Sequence, residues 1–323
     1  MQVIRGLHNL RAEHQGCVAT IGNFDGVHRG HQAVFGHLRE KAQQFGLPAT
    51  VITFEPQPQE FFAPDKAPAR LTRMREKLRA ISNTGIDRVV LLEFSNKLAA
   101  MSAEQFVQRL LVDGLGIRYL FVGDDFRFGK RRAGDIGMLR QVGEKQLFRV
   151  ESMNTFVVGD ERVSSTRIRE LLAAGELQQA AHYLGRPYRI CGRVAHGDAR
   201  GRTIGFPTAN VNLHRKVSPL NGVYAVSVYG LGSEGTPGVA NIGTRPTVKG
   251  DRRYLLEVHL FDFEQNIYGA HVEVEFRLKL RDEKRFDSFD QLRQQIERDS
   301  RAARVFLTDD LNIESLKQQS DQP

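Results

Sequence analysis

The apolar residues of this chain change period near residue 184, and that change limits the folds open to it. Before it, strand-length runs that are apolar nearly throughout alternate with helical patterns. The runs are CVATIGNF (17–24), ATVITF (49–54), RVVLLEF (88–94) and YLFVG (119–123); the helical patterns cover 31–46, 72–83 and 102–116. Strands without polar alternation are covered on both faces, and the order strand–helix–strand winds a parallel sheet from both sides. After two short helical segments, STRIRELLAAG and LQQAAHYLG, the period becomes two. In AHVEVEFRLKL (270–280), Val272, Val274, Phe276, Leu278 and Leu280 fall on one face; Glu273, Glu275, Arg277 and Lys279 fall on the other. Similar alternation in 188–197, 222–230 and 254–263 predicts half-buried antiparallel strands, hence a small barrel or sandwich, closed by the amphipathic helix FDQLRQQIERDSRAARVFL. The expected domains are 1–184, doubly wound α/β, and 185–323, mainly antiparallel β.

A length of 323 residues suits two domains, and 41% hydrophobic with 26% charged residues supplies an ordinary core. The net charge of +8 fits phosphate-rich ligands and nucleic acid alike. The two cysteines, Cys17 and Cys191, suggest neither a disulfide framework nor a zinc cluster and fit a reducing cytoplasm. The polar start MQVIRGLHNLRAEHQG does not read as a signal peptide, and no apolar run nears the ~20 residues a membrane span needs.

The first chemical motif is GNFDGVHRGH (22–31), between a strand and a helix. Ligands of doubly wound sheets bind at the carboxyl ends of the strands. There Gly30 lets a ligand approach the backbone, and the helix start offers free N–H groups to phosphate. His28 and His31 can donate hydrogen bonds as charge develops on a phosphate, which suits nucleotidyl transfer. A pair of surface histidines is the bland alternative. VSSTRIRE (163–170) brings Thr166 and Arg167 to a second helix start, either for phosphate or as an ordinary cap. VGDDFRFGKRRAGD (122–135) and TFEPQPQEFF (53–62) place Asp124, Asp125, Phe126, Phe128, Phe61 and Phe62 near strand ends, to line a pocket or to staple loops.

In the second half, GRVAHGDARGRTIGFPTAN (192–210) is rich in glycine and arginine, as phosphate-cradling loops are, but lacks the Walker A pattern. If PTAN is extended, Thr208 and Asn210 share one side and offer hard oxygen ligands to Mg²⁺; a simple turn is the alternative. Glu257, in YLLEVHLF, is either a general base for phosphoryl transfer or a solvent-facing strand residue.

Taken together and in order, GNFDGVHRGH, TFEPQP, VGDDFRFG, VSSTRIRELL, GRVAHGDARGRTIGFPTAN, GVANIGTRPTV, LEVHLFDF and VEFRLKLRDEKRFDSFDQLRQQIERD resemble the bacterial riboflavin kinase/FAD synthetase family over essentially the whole chain. The resemblance implies a Rossmann-like nucleotidyltransferase domain followed by a six-stranded β-barrel kinase domain. It implies ATP contacts by His28, His31 and Arg167, with Asn23, Asp25, Gly26 and Gly30 shaping the turn and Ser165 and Thr166 holding the triphosphate. In the kinase half, Gly201, Gly205 and Pro207 would lie along ATP, Thr208 and Asn210 at Mg²⁺, and Glu257 would be the base. Phe61, Asp125, Phe126 and Arg281 would meet the flavin. Expected ligands are riboflavin, FMN, FAD and ATP with Mg²⁺. No nucleic acid or membrane is expected, and the chain is expected to be a monomer or weak homo-oligomer. The rival is an HxGH nucleotidyltransferase for another phosphorylated acceptor, which would not need the second domain.

Overall fold

The computed structural model describes all residues except 154–156, 159–160, 197–205, 214, 216, 247–251 and 321–323. The chain divides into two compact units, Met1–Ser165 and Thr166–Pro323.

In the first unit, strands β1 (Gln2–Arg5), β2 (Cys17–Ile21), β3 (Ala49–Glu55), β4 (Arg88–Glu93), β5 (Ile117–Gly123) and β6 (Arg149–Met153) form one sheet of order β1-β4-β3-β2-β5-β6. Every pairing is parallel. Helices α1 (Arg29–Phe45), α2 (Pro58–Phe62), α3 (Met74–Ser82), α4 (Asn96–Ala99), α5 (Ala103–Phe106) and α6 (Ile136–Gln146) connect the strands. The pattern over 102–116 yields α5 running into a π-helical stretch, Val107–Val112, rather than one α-helix. Successive residues of a strand feed opposite cores: Cys17, Ala19 and Ile21 join one cluster and Val18 the other; Ile52 and Phe54 join the first, Ala49 and Val51 the second. That is why these strands read as continuously apolar. Strand order reverses between β2 and β5, so the turn after β2 stands at the switch point. The two-stranded ribbon β7 (Val157–Val158) and β8 (Glu161–Arg162) completes this unit.

Helix α7 (Ser165–Ala174) begins at the division, and α8 (Leu177–Leu184) follows. The change of period at 184 marks where barrel strands begin; it does not allot these two helices. Strands β9 (Arg189–Ala195), β10 (Ala209–Val211), β11 (Gly222–Tyr229), β12 (Thr236–Pro246), β13 (Arg252–Leu260) and β14 (His271–Arg281) close a barrel in the order β10-β13-β12-β11-β14-β9. Helix α9 (Phe289–Ser320) lays Ala303 and Leu307 against Val223, Ala225, Val239 and Phe261.

Two expectations for β14 need correction. Val226 pairs with Phe276 while its neighbour Ala225 pairs with Leu278, a bulge in which β14 spends an extra residue. A bulge flips the side-chain period. Leu278 and Leu280 therefore join the α9 side, whereas Phe276 meets Tyr224 edge-on. Glu275, expected in solvent, is 1% exposed. Its carboxylate accepts from Arg189 at 2.6 Å and Arg277 at 2.7 Å, pairing that a buried charge requires.

Candidate active sites

The first site grows from the turn 22–28. Phe24 (φ 48°), Gly26 (φ 83°) and Val27 (φ 44°) all adopt left-handed backbone. Glycine does so freely; a phenylalanine and a β-branched valine do not. Burial of both side chains, 5% and 1% exposed, contributes to holding them there. Hydrogen bonds supply the rest. The Asn23 carbonyl accepts from Lys77 Nζ at 2.7 Å and Thr53 Oγ1 at 3.2 Å. The Asp25 carboxylate accepts from the N–H groups of Leu71 (3.0 Å) and Thr72 (2.9 Å) and from the Thr72 hydroxyl (3.1 Å). Thr72 Oγ1 in turn accepts from the Gly26 N–H at 2.9 Å, and Ser165 Oγ donates to the Asp25 carbonyl at 2.9 Å. Asp25 therefore shapes the turn with its carboxylate on the backbone of residues 71–72. Asp25→Ala should destabilise this unit by about 3 kcal/mol, since charged hydrogen bonds are lost and buried donors stranded. Urea unfolding followed by circular dichroism reads this loss.

The turn delivers two imidazoles. His28 caps α1, its Nδ1 accepting the His31 N–H at 3.4 Å, and the two rings stack at 3.6 Å with 20° between planes. An accepting Nδ1 puts the proton of the neutral ring on Nε2 as a donor. Phe24 packs edge-on against His31 at 5.2 Å. Burial above all, then His28 and Lys77, hold His31 well below the usual imidazole value. Its Nδ1 is buried and has no hydrogen-bond partner among the described residues. Gly30 is buried in the first turn of α1.

Past the carboxyl ends of the interior strands β3 and β4, α2 sets Phe61 edge-to-face against Phe62 (5.3 Å) and Phe94 (5.4 Å). Arg70 pairs with Glu55 and Glu60. After β5, Phe126 stacks on Phe128 at 5.5 Å, and exposed Asp125 lies 3.8 Å from Arg162. Thr166 is exposed and Arg167 pairs with Glu170 at 3.6 Å; both open the second unit.

The second site lies on the barrel. Asn210 on β10 stands opposite Glu257 on β13, which stands opposite Asn241 on β12. Cross-strand partners share a face, so one carboxylate is flanked by two amides. Leu256 and Val258 point the other way into the core. His259 Nδ1 bonds the Pro207 carbonyl at 2.9 Å, and Phe206 packs edge-on to its ring at 5.2 Å. These contacts fix the segment that carries half-buried Thr208. Glu283, just past β14, accepts from the Thr244 backbone, and its carboxylate fills the space a side chain at Gly243 would need. Burial foremost, with the like charge of Glu257, raises its carboxyl above the usual value against the pull of Arg281. Arg281 forks onto Asp299, Nε at 3.1 and 3.0 Å and an NH₂ group at 2.8 Å, tying the end of β14 to α9. Gly201 and Gly205 lie outside the described residues.

Thr208, Asn210 and Glu257 offer only oxygen ligands of the sort Mg²⁺ takes. Among the described residues no cluster of three His, Cys, Asp or Glu could cage a metal. A hydroxyl, an amide oxygen and one carboxylate are a donor set that suits an ion held also by nucleotide phosphates. Asn241, Glu283 and Lys77 are absent from the sequence expectations. Asn241 is revealed by strand register alone; Lys77 and Glu283 sit in charged stretches that read as solvated.

A FAD synthetase family model matches residues 10–167, and a riboflavin kinase family model matches 184–307. The bifunctional riboflavin kinase/FMN adenylyltransferase of Escherichia coli K12 is 54% identical over 307 residues, 95% of this chain and 98% of its own. Its namesakes from Pseudomonas fluorescens (53% identical, 94% and 97% covered) and Haemophilus influenzae (51%, 95% and 99%) are similar throughout. A solved protein from Streptococcus pneumoniae, described as a macrolide-efflux protein, matches with a TM-score of 0.79 and 30% identity over 94% of this chain and 99% of its own. Among the described residues here, no helix is long and apolar enough to cross a membrane.

Proposed function

The chain belongs to the bifunctional riboflavin kinase/FMN adenylyltransferase family, and on that premise we propose which residues carry its two reactions. It phosphorylates riboflavin with ATP to FMN and ADP, then joins AMP from a second ATP to FMN, releasing pyrophosphate.

In the kinase step, Glu257 takes the proton from the ribityl hydroxyl as that oxygen attacks the γ-phosphorus and ADP leaves. Thr208 and Asn210 would hold a Mg²⁺ ion, which would supply neutralising charge to the ATP phosphates. Gly201, Gly205 and Pro207 are assigned to ATP binding from their motif. Arg281, anchored on Asp299, steadies the segment beside the flavin. The register Asn210–Glu257–Asn241 carries this half: it gives a carboxylate flanked by polar groups on a rigid wall.

In the adenylyl step, an FMN phosphate oxygen attacks the α-phosphorus and pyrophosphate departs. His28 and His31 donate to the phosphate oxygens on which charge accumulates, helped by the N-terminus of α1. Asn23, Asp25, Gly26 and Gly30 set the turn. Ser165, Thr166 and Arg167 bind the triphosphate; Phe61, Asp125 and Phe126 receive the flat rings. The stacked histidines at a helix start carry this half. The enzyme acts in the cytoplasm as a monomer or weak homo-oligomer.

Incubated with riboflavin, ATP and MgCl₂, the protein should form FMN first and FAD after it, with ADP and pyrophosphate released one for one. EDTA should stop both steps. FAD formation that persists in EDTA would refute the Mg²⁺ assignment, and a chain that adenylylates other acceptors but not FMN would refute the reading as a whole.

A further inference from the structure

Lys77 is fully buried, 0% exposed, in a helix whose Arg75 and Arg79 face water. Taking an ammonium out of water costs several kcal/mol unless partners compensate. Methionine or leucine would fill that space without the penalty, so packing of α3 does not account for a lysine. Its Nζ donates to the Asn23 carbonyl at 2.7 Å. Around it, burial foremost and then Arg70 disfavour the cation, while Asp25, Glu55 and Glu60 favour it.

The carbonyl it holds precedes the left-handed residues Phe24 and Val27. Non-glycine residues in that region persist only where their surroundings over-determine them, and such strain gathers at functional sites. Without Lys77 the Asn23 carbonyl is left with the longer bond from the Thr53 hydroxyl, 3.2 Å, and a shift of the turn would swing the cap His28 and the ring stacked on it. Lys77 is also close enough to act electrostatically on His31. A cation near His31 adds to the positive potential of the α1 N-terminus.

We propose that Lys77 is a positioning residue for adenylyl transfer: by pinning the Asn23 carbonyl it fixes the strained 22–28 turn and thereby the aim of His28 and His31 at the ATP phosphates. The inference rests on the assignment of this step to the two histidines. Lys77 reaches the reacting atoms through the turn, so its contribution belongs to geometry in the transition state more than to ground-state affinity for ATP.

The test uses the full chain carrying Lys77→Met, with the kinase step as an internal reference because it runs in the other unit. The expected result is an adenylyl-transfer kcat lowered about 10- to 100-fold, the scale of an ångström-sized misplacement, with KM for ATP within about threefold and the kinase rate unchanged. An unchanged kcat, a rise in KM alone, or a kcat loss equal to the unfolded fraction seen by circular dichroism would overturn it. Lys77→Leu, close in size and without any donor, decides the matter if the methionine variant does not fold. A folded leucine variant with kcat lowered at least about tenfold upholds the proposal, and one with the wild-type kcat overturns it. His28→Ala run alongside separates the two levels: if it retains adenylyl transfer, the histidine assignment itself has failed.

Discussion

Glu257→Gln stops FMN formation from riboflavin while FAD still forms from supplied FMN. The substitution is nearly isosteric and keeps the cross-strand pairing with Asn210 and Asn241, so the barrel wall survives. What disappears is the ability to take a proton. General-base catalysis is worth about 10²- to 10⁴-fold, and the loss should fall on kcat with little change in KM for ATP. Stopped time courses resolved by chromatography measure it. A kinase rate within about threefold of the parent would remove Glu257 from the base role and direct attention to Glu283, the neighbouring carboxylate.

His28→Ala gives the complementary result: FMN accumulates and FAD does not follow. This change deletes a phosphate donor, the cap on α1 and the stacking partner of His31 in one step. Removing one preorganised donor costs about 10²- to 10³-fold in rate, and losing the cap costs about 1 kcal/mol of stability. His31→Ala should have an effect of similar size on rate without the cap penalty. His31 also sets a pH signature. Its folded value lies below the usual 6.5, so the unfolded chain takes up a proton that the folded ring refuses. Stability from this source is complete above about pH 6.5 and is lost as pH falls below it. Denaturant titrations at pH 7.5 and 5.5 on the parent and His31→Ala measure the difference; a parent no more sensitive to acid than the variant would contradict it.

How much of this was legible without coordinates depends on how local each feature is. The turn motif was legible because all its chemistry falls within ten letters, and β2 and β3 were because both faces are buried. The edge strands β1 and β6 were not, since QVIR and RVESM are largely exposed or half-buried and show no apolar run. Alternation in β14 separates the two faces up to Phe276, although Glu275 on the polar face is buried, and it fails at the bulge, which no hydrophobic period encodes. Thr208, Asn210 and Glu257 could be named as oxygen donors. Only strand register brings Asn210 against Glu257, and only register adds Asn241. Lys77 lies in TRMREKLRAISN, where it is one cation among several, and nothing in that string says which of them is buried.

The many fastenings of the 22–28 turn have a genetic consequence. Asn23, Asp25 and Gly26 are each tied to residues 53, 71, 72, 77 or 165, so the information that aims two histidines is spread over much of the first unit. A saturation screen for flavin sufficiency would then find Thr72 and Lys77 about as intolerant as His28. It would find the outward positions of the same helix, Arg75 and Arg79, permissive. Intolerance at such sites would chart the scaffold of the reaction rather than its chemistry.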